Sequence, residues 1–194
     1  MQDRRILIIY GTSYGQTARI ANRMADVLRR TGYDVTVVDA RQNGERVRLE
    51  TFDGVIIGAS LIARGLQPAV DRFVRAHVDT LNRVPTLFFQ VSASAGSTRP
   101  EGRDAAQRLL DRYLNTTGFR PDLSASIAGA INYTRYSPFL RWYMKRASKL
   151  NGGSTDTTRD HEYTDWEQVE QLASDFEERA LKPVRTTSGS TRHP

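Results

Sequence analysis

The chain has 194 residues, a formal net charge of +6 and no cysteine. This length suits one domain with a sizeable core, and the lack of cysteine excludes disulfides, a thiol nucleophile and cysteine-ligated metal or iron–sulfur sites. The sequence predicts no cleaved leader and no run that approaches the roughly 18 apolar residues of a membrane span. The positive charge favours acidic partners or an anionic surface without choosing between them.

The first predicted unit is a strand, a tight turn and a helix. Apolar residues 6–10 form the strand, and apolar residues recur at helical spacing from Ile20 to Leu28. The first N–H groups of such a helix, beside its positive dipole end, can receive a phosphate. The turn lacks the Gly-x-Gly-x-x-Gly pattern and the Lys of a P-loop. Its predicted anion-binding residues are Thr12, Ser13, Tyr14, Gly15, Gln16 and Thr17.

Strand and helix patterns alternate along the rest of the chain. Parallel neighbours in a sheet require crossover helices, so this alternation predicts an α/β fold, a doubly wound parallel sheet of five strands. Residues 40–51 are polar and fit a loop or a poorly packed short helix. The later strands are predicted at 33–39, 53–60, 86–91 and 125–131, and the later helices at 68–81, 101–116 and 164–181.

The first, third and fourth strands each run into a loop of small residues. Ligands of such sheets bind outside the carboxyl ends of the strands, where the winding reverses. We therefore expect a flat ring system between the second and third of these loops, with its phosphate in the first. Neither of the two ring-binding loops offers an aromatic side chain. Their predicted binding residues are Ala59, Ser60, Leu61, Ile62, Ala63, Arg64, Ser92, Ala93, Ser94, Ala95 and Gly96.

An inserted segment, about 132–160, lies between the fifth strand and the last helix. No acidic residue occurs from Leu123 to Thr155, and aromatic side chains are interleaved with basic ones. The segment fits an interfacial helix on an anionic membrane, a pocket wall for a large, flat, acidic substrate, an RNA site, or a solvated basic helix. In the first case the lipid-facing residues are Phe139, Trp142, Tyr143 and Met144. The predicted substrate or membrane contacts are Tyr133, Arg135, Tyr136, Arg141, Trp142 and Lys145, with Arg135 and Arg141 first.

Other parts of the chain offer little chemistry. The three histidines are scattered, so the sequence predicts no metal site. We assign no catalytic acid or base. The domain is expected to span residues 1–181, and the polar tail 182–194 is expected to be disordered.

The pattern of the first loop, hydroxyl-x-x-Gly-x-Thr, is similar to the FMN phosphate loop of flavodoxins. Over residues 4–181 the chain resembles the flavodoxin-type, menaquinone-dependent protoporphyrinogen IX dehydrogenases of bacterial heme synthesis. The most specific similarities flank and include the insertion, which ordinary flavodoxins lack. The matching stretches are 15–17, 55–60, 120–122, 127–130 with Tyr133 and 135–136, 152–153 with 155–157, and 163–169.

This resemblance implies bound FMN, protoporphyrinogen IX as substrate, and a membrane quinone, menaquinone or ubiquinone, as acceptor. It implies a cytoplasmic protein held peripherally on the inner face of the cell membrane, with no nucleic-acid partner. Two alternatives stay open: a flavodoxin-like electron carrier and an FMN-dependent NAD(P)H:quinone reductase. The charge of +6 argues against the first, because electron-carrier flavodoxins are usually acidic.

Overall fold

The computed structural model describes residues 4–62 and 65–181. The strands of this part are β1 (Arg5–Gly11), β2 (Asp34–Asp39), β3 (Gly54–Ile62), β4 (Gly65–Leu66), β5 (Thr86–Ser92), β6 (Leu123–Ala128), β7 (Ala130–Ile131) and β8 (His161–Glu162). Its α-helices are α1 (Gln16–Arg30), α2 (Ala40–Asn43), α3 (Pro68–Leu81), α4 (Pro100–Thr117), α5 (Pro138–Leu150) and α6 (Trp166–Phe176).

Five parallel strands form the main sheet in the order β2-β1-β3-β5-β6. The chain passes from β1 to β2 on one side and then to β3 on the other, so the winding reverses between β1 and β3. This order confirms the predicted doubly wound fold. The short β4 folds back on the end of β3, with Leu61 opposite Leu66. The carboxyl ends of β1, β3 and β5 therefore meet at one edge, which is where ligands of such sheets bind.

The sheet separates two apolar cores. Ile8 of β1 is buried with Met24 of α1 and Phe176 of α6 on one face, whereas Ile9 is buried with Phe73 of α3 on the other. Successive side chains of a strand point to opposite faces, which explains the alternation. Each such side chain contributes about 1.5–3 kcal/mol when fully buried, so both helical layers hold the carboxyl edge of the sheet in place.

The fifth strand ends earlier than the predicted 125–131. The break is at Gly129, whose N–H donates to the carbonyl of Ser92 (3.1 Å) and whose carbonyl accepts from the N–H of Tyr163 (3.1 Å). A Cβ at this position would lie 2.9 Å from a methyl of Val91, so close packing favours glycine. Beyond it the chain leaves the main sheet and β7 pairs antiparallel with β8. The prediction was wrong for the last three residues of this strand.

The insertion contains one well-formed helix, α5. Its N-terminus is capped by Ser137, whose hydroxyl accepts from the N–H of Leu140 (3.4 Å), and Pro138 occupies the first turn. The insertion leaves and returns at neighbouring points, because Ile131 of β7 lies opposite His161 of β8.

Two other segments differ from their predicted form. The last helix begins at Trp166 after the cap Asp165, not at residue 164, and its end at 177–181 is a π-helical turn. Residues 40–51 form α2 and two short 3-10 turns, which fits the expected short helix. The tail 182–194 lies outside the described residues.

Candidate functional site

The loop between β1 and α1 is built to receive an anion. Gly15 has a left-handed backbone (φ 98°), and its N–H donates to the hydroxyl oxygen of Thr12 (2.9 Å). Because Thr12 Oγ1 accepts this bond, its own proton is available to a ligand. Thr17 is fully buried, and its Oγ1 has no hydrogen-bond partner among the described residues. An orphaned buried hydroxyl costs about 1–3 kcal/mol, so a ligand atom at this position would complete the site.

The second loop is joined to the first by a polar bridge. The side-chain amide of Gln67 donates to the hydroxyls of both Ser13 and Ser60, at 3.2 Å from the latter. The two hydroxyl oxygens lie 3.3 Å apart. Gln67 follows the β3–β4 turn and was not predicted as a site residue. The predicted Ala63 and Arg64 lie outside the described residues, as does the side chain of Ile62.

The third loop leaves β5 as a 3-10 turn, Ser94–Gly96. The hydroxyl of Ser92 accepts from the N–H of Ala95 (3.2 Å), which holds the turn against the strand end. A Cβ at Gly96 would lie 3.0 Å from that of Ala128. The turn is thus fixed both by its own hydrogen bond and by its packing on β6.

These three loops and α5 enclose a cavity of about 410 Å³. The structure brings most of the predicted anion and ring residues to its wall. The predicted residues that line it are Thr12, Ser13, Tyr14, Gln16, Thr17, Ser60, Leu61, Ser92, Ala93, Ser94 and Tyr136. The predicted residues that lie elsewhere are Gly15, Ala59, Ala95, Gly96, Tyr133, Arg135, Arg141, Trp142 and Lys145.

One face of α5 supplies an apolar cavity wall, which agrees with the pocket-wall alternative, although its residues were not among the predicted contacts. Leu140, Tyr143, Met144 and Ala147 recur at helical spacing along this face. The membrane alternative placed Tyr143 and Met144 in lipid, but both line the cavity, and Met144 is partly buried. Helical spacing is the signal that could have separated them from Phe139 and Trp142, which point away from the cavity. Leu109 of α4 also lines the cavity, although the helical spacing of the apolar residues of α4 places it in their stripe.

Aromatic rings reach the cavity from outside the two ring-binding loops. Tyr136, at the start of the insertion, packs edge-on against Tyr14 of the first loop, with ring centroids 4.8 Å apart. Burial raises the pKa of the Tyr136 hydroxyl, so this group stays protonated at neutral pH. The insertion therefore provides the aromatic surface that the second and third loops lack.

Three of the predicted contact residues instead shape the insertion. Tyr133 is fully buried, and its hydroxyl donates to the carbonyl of Ser154 (3.0 Å), so it cannot touch a membrane. The guanidinium of Arg141 donates to the carbonyls of Tyr133 (3.0 Å) and Tyr136 (3.3 Å). Arg135 donates to the carbonyl of Tyr14 (3.0 Å). Arg141 thus holds the start of α5, and Arg135 links the insertion to the first loop.

A second link joins the end of the insertion to α1. The side-chain amide of Gln16 donates to Thr164 Oγ1 (2.8 Å) and to the Glu162 carboxylate (3.1 Å), which also accepts from Arg19 (2.9 Å). Partial burial alone would raise the pKa of Glu162, but the hydrogen bonds from Arg19 and Gln16 outweigh it and lower the pKa. The first turn of α1 is therefore fixed from the side opposite Tyr14.

The outer face of α5 is both apolar and basic. Phe139 is 76% exposed, Trp142 59% and Leu150 64%. The exposed bases beside them are Lys145, Arg146 and Lys149, which form no ion pair within residues 4–62 and 65–181. Large apolar side chains grouped on a surface mark an interaction site. We call these six residues the outer face of α5.

The described part of the chain contains neither a membrane-spanning helix nor a metal-binding cluster. No helix there is long and apolar enough to cross a membrane. No cluster of three or more His, Cys, Asp or Glu side chains suited to a metal ion occurs in these residues either.

Comparison with known proteins agrees with the fold. Residues 7–158 match the flavodoxin domain family, and the structure is similar to oxidised flavodoxin 1 from Bacillus cereus, with a TM-score of 0.56, 21% identity and coverage of 90% of this chain and 98% of that one. Fold and site thus define a flavodoxin-domain protein, which confirms the predicted cofactor, FMN.

Two curated relatives narrow this class. The chain is 36% identical over 181 residues to protoporphyrinogen IX dehydrogenase [quinone] of Escherichia coli (strain K12), covering 93% of this chain and 98% of that protein. It is 31% identical over 196 residues to the protein of the same name from Leishmania major, covering 100% of this chain and 84% of that one. The chain belongs to the protoporphyrinogen IX dehydrogenase (quinone) family.

The residues present fit FMN. A phosphate needs several hydrogen-bond donors, and the first loop offers the Thr12 proton, the buried Thr17 hydroxyl and the N-terminus of α1. A flat ring needs apolar walls. Leu61, Tyr136 and the inner face of α5, which consists of Leu140, Tyr143, Met144 and Ala147, provide them.

Proposed function

We propose that this protein oxidises protoporphyrinogen IX to protoporphyrin IX and passes the electrons to a membrane quinone, menaquinone or ubiquinone, in heme biosynthesis. The observation that carries the proposal is the cavity whose polar end is the phosphate loop and whose apolar end is the inner face of α5. The named relatives support it, since 93% of this chain aligns with one of them. Bound FMN supplies the transfer of electrons and hydrogen between the two partners.

The number of electrons transferred determines how often substrate and quinone must enter the cavity. Protoporphyrinogen IX gives up its electrons and hydrogens in three two-electron oxidations, and three quinones become quinols. Each partner must therefore reach the same small cavity and leave it again. The walls formed by Leu61, Leu140 and Met144 exclude water from a flat apolar partner, and the protonated Tyr136 hydroxyl stands beside them as a donor.

We place the substrate carboxylates near the start of the insertion. Arg135 is exposed, and its guanidinium makes one described hydrogen bond, to the carbonyl of Tyr14, so further guanidinium donors remain for a propionate. Arg141, the other predicted candidate, makes two hydrogen bonds with backbone carbonyls. We therefore give Arg141 a positioning role and keep Arg135 as the carboxylate contact.

We further propose that the outer face of α5 binds the anionic inner surface of the cell membrane. Phe139, Trp142 and Leu150 supply apolar surface for the interfacial region. Lys145, Arg146 and Lys149 supply charge, worth about 1 kcal/mol each beside anionic lipids. Residues 123–155 contain no carboxylate to oppose this attraction.

The test of the reaction is anaerobic. Purified, FMN-loaded protein is mixed with protoporphyrinogen IX, with or without a quinone, and porphyrin fluorescence is followed. We expect fluorescence to rise only when quinone is present. Flavin absorbance without porphyrin formation would contradict the proposal and favour an electron carrier or another reductase.

A further inference from the structure

The cavity has two ends of opposite polarity where its lining residues reach the surface. At one end the exposed lining residues are Ser13 and Gly65, beside the phosphate loop. At the other they are Leu109 of α4, 41% exposed, and Tyr143 of α5, 42% exposed. A residue that both lines a cavity and meets solvent marks an opening. The cavity therefore has a polar opening and an apolar one, and the apolar opening lies between α4 and α5.

The apolar opening continues into the outer face of α5. Phe139, Tyr143, Arg146 and Leu150 lie three or four residues apart, so they form one stripe along the helix. Phe139 also packs against Trp142, with ring centroids 6.2 Å apart. A molecule that leaves the cavity past Tyr143 therefore meets this stripe at once. Tyr143 therefore belongs both to the cavity wall and to the stripe on the surface proposed to meet lipid.

We propose that the gap between Leu109 and Tyr143 is the portal through which the isoprenoid-tailed quinone reaches the cavity directly from the bilayer. This inference rests on the proposed function, since it names the route of its acceptor. The reacting ring of such a quinone is small and flat, whereas its tail is long and purely apolar. An apolar portal lets the ring enter while the tail stays against Leu109, Tyr143 and the lipid, which avoids exposing the tail to water.

The portal is best tested at Leu109. This residue lies on α4, so its substitution changes the portal and leaves the outer face of α5 unaltered. Leu109→Asn keeps the size and charge of the side chain but replaces apolar contact with a polar amide. The matched control is Gln107→Asn, which places the same residue on the exposed side of α4, away from the cavity. Both sites are exposed, so neither change removes core packing.

The experiment uses FMN-loaded protein in neutral detergent micelles, where membrane charge plays no part. With protoporphyrinogen IX as the electron donor, reduction rates are compared for a menaquinone with its isoprenoid tail and for menadione, which has the same ring system without the tail. We expect the ratio of the two rates to fall roughly tenfold in Leu109→Asn, which corresponds to about 1.4 kcal/mol of lost apolar contact. We expect the ratio in Gln107→Asn to equal that of the wild type.

A binding measurement separates the possible failures. Quenching of tryptophan fluorescence gives the dissociation constant of the tailed quinone, which we expect to rise by a similar factor in Leu109→Asn. An unchanged rate ratio and an unchanged dissociation constant in that variant would overturn the portal. Wild-type protein that reduces neither quinone would overturn the proposed function, and the binding ratio would then still decide the portal.

Discussion

The guanidinium of Arg135 donates a hydrogen bond of 3.0 Å to the backbone carbonyl of Tyr14. The first residue belongs to the insertion and the second to the phosphate loop, 121 positions earlier in the chain. The ring of Tyr14 is held from the same direction by Tyr136. The insertion is thus part of the support of the cofactor loop, as well as a wall for the substrate.

Removal of this link should weaken FMN binding. Without the guanidinium of Arg135, the carbonyl of Tyr14 loses its partner and the loop is less well fixed. We therefore expect Arg135→Ala to raise the FMN dissociation constant roughly fivefold, which is about 1 kcal/mol of binding free energy. Fluorescence titration of the apoprotein measures it. Arg146→Ala removes an equal charge from the outer face of α5 and should leave the constant as it is. Equal constants for wild type and Arg135→Ala would show that the link plays no part.

The buried Thr17 hydroxyl predicts two effects of opposite sign. Thr17→Val keeps the shape of the side chain but removes the donor, so FMN affinity should fall roughly tenfold or more. In the apoprotein the same change removes an unpaired buried polar atom, so the free energy of unfolding should rise by about 1 kcal/mol. Denaturant titration with and without FMN measures both.

Thr86 provides the matched control for Thr17. Its Oγ1 is also buried without a partner among the described residues, but Thr86 stands at the opposite end of the sheet, where β5 begins. Thr86→Val should stabilise the apoprotein by a similar amount and leave FMN affinity unchanged. A Thr17→Val protein that binds FMN like the wild type would remove Thr17 from the phosphate site.

Neutralisation of the outer face of α5 should release the protein from anionic vesicles. The triple change of Lys145, Arg146 and Lys149 to Gln removes about 3 kcal/mol of attraction, which is roughly a hundredfold in the partition coefficient. Sedimentation with vesicles that contain phosphatidylserine measures it, and added salt should weaken the wild type in the same way. The control changes Arg30, Arg83 and Arg120, all exposed at the opposite edge of the sheet, to Gln. Equal loss in both triple variants would mean that net charge, and not this face, binds the vesicle.

The carboxylate of Glu162 predicts a pH dependence of stability. Its pKa in the folded protein is lowered from the ordinary value of 4.5, so its ionised form stabilises the fold. This contribution is complete above pH 4.5 and is lost as the pH falls through the lower pKa of the folded state. The difference in unfolding free energy between wild type and Glu162→Gln should therefore be constant near neutrality and shrink below pH 4.5. A constant difference down to low pH would contradict the role of the Glu162 network.

The features that depend on residues close together in the sequence could be predicted from it. The phosphate loop and the parallel order follow from local patterns, and Thr12 and Thr17 stand where the loop pattern placed them. Helical spacing separates two faces of α5, but aromatic residues occur on both, so only packing shows which face meets the cavity. Leu109 fitted a core stripe of α4, and no local signal distinguishes a core position from a cavity wall. Gln67 was not predicted as a site residue, because its partners Ser13 and Ser60 come close to it only when the sheet is formed.

The insertion begins and ends at neighbouring points, with β7 paired to β8, and the N–H and hydroxyl of Thr134 both donate to the Asp160 carboxylate (2.9 Å). Its two ends are anchored to the phosphate loop and to the first turn of α1. Once both anchors are fixed, the length of chain between them costs little, about 0.6 kcal/mol for each doubling. This junction is thus an attachment point at which a flavodoxin domain can carry partner-binding elements of different length, provided that the contacts anchoring them to the cofactor loop are kept.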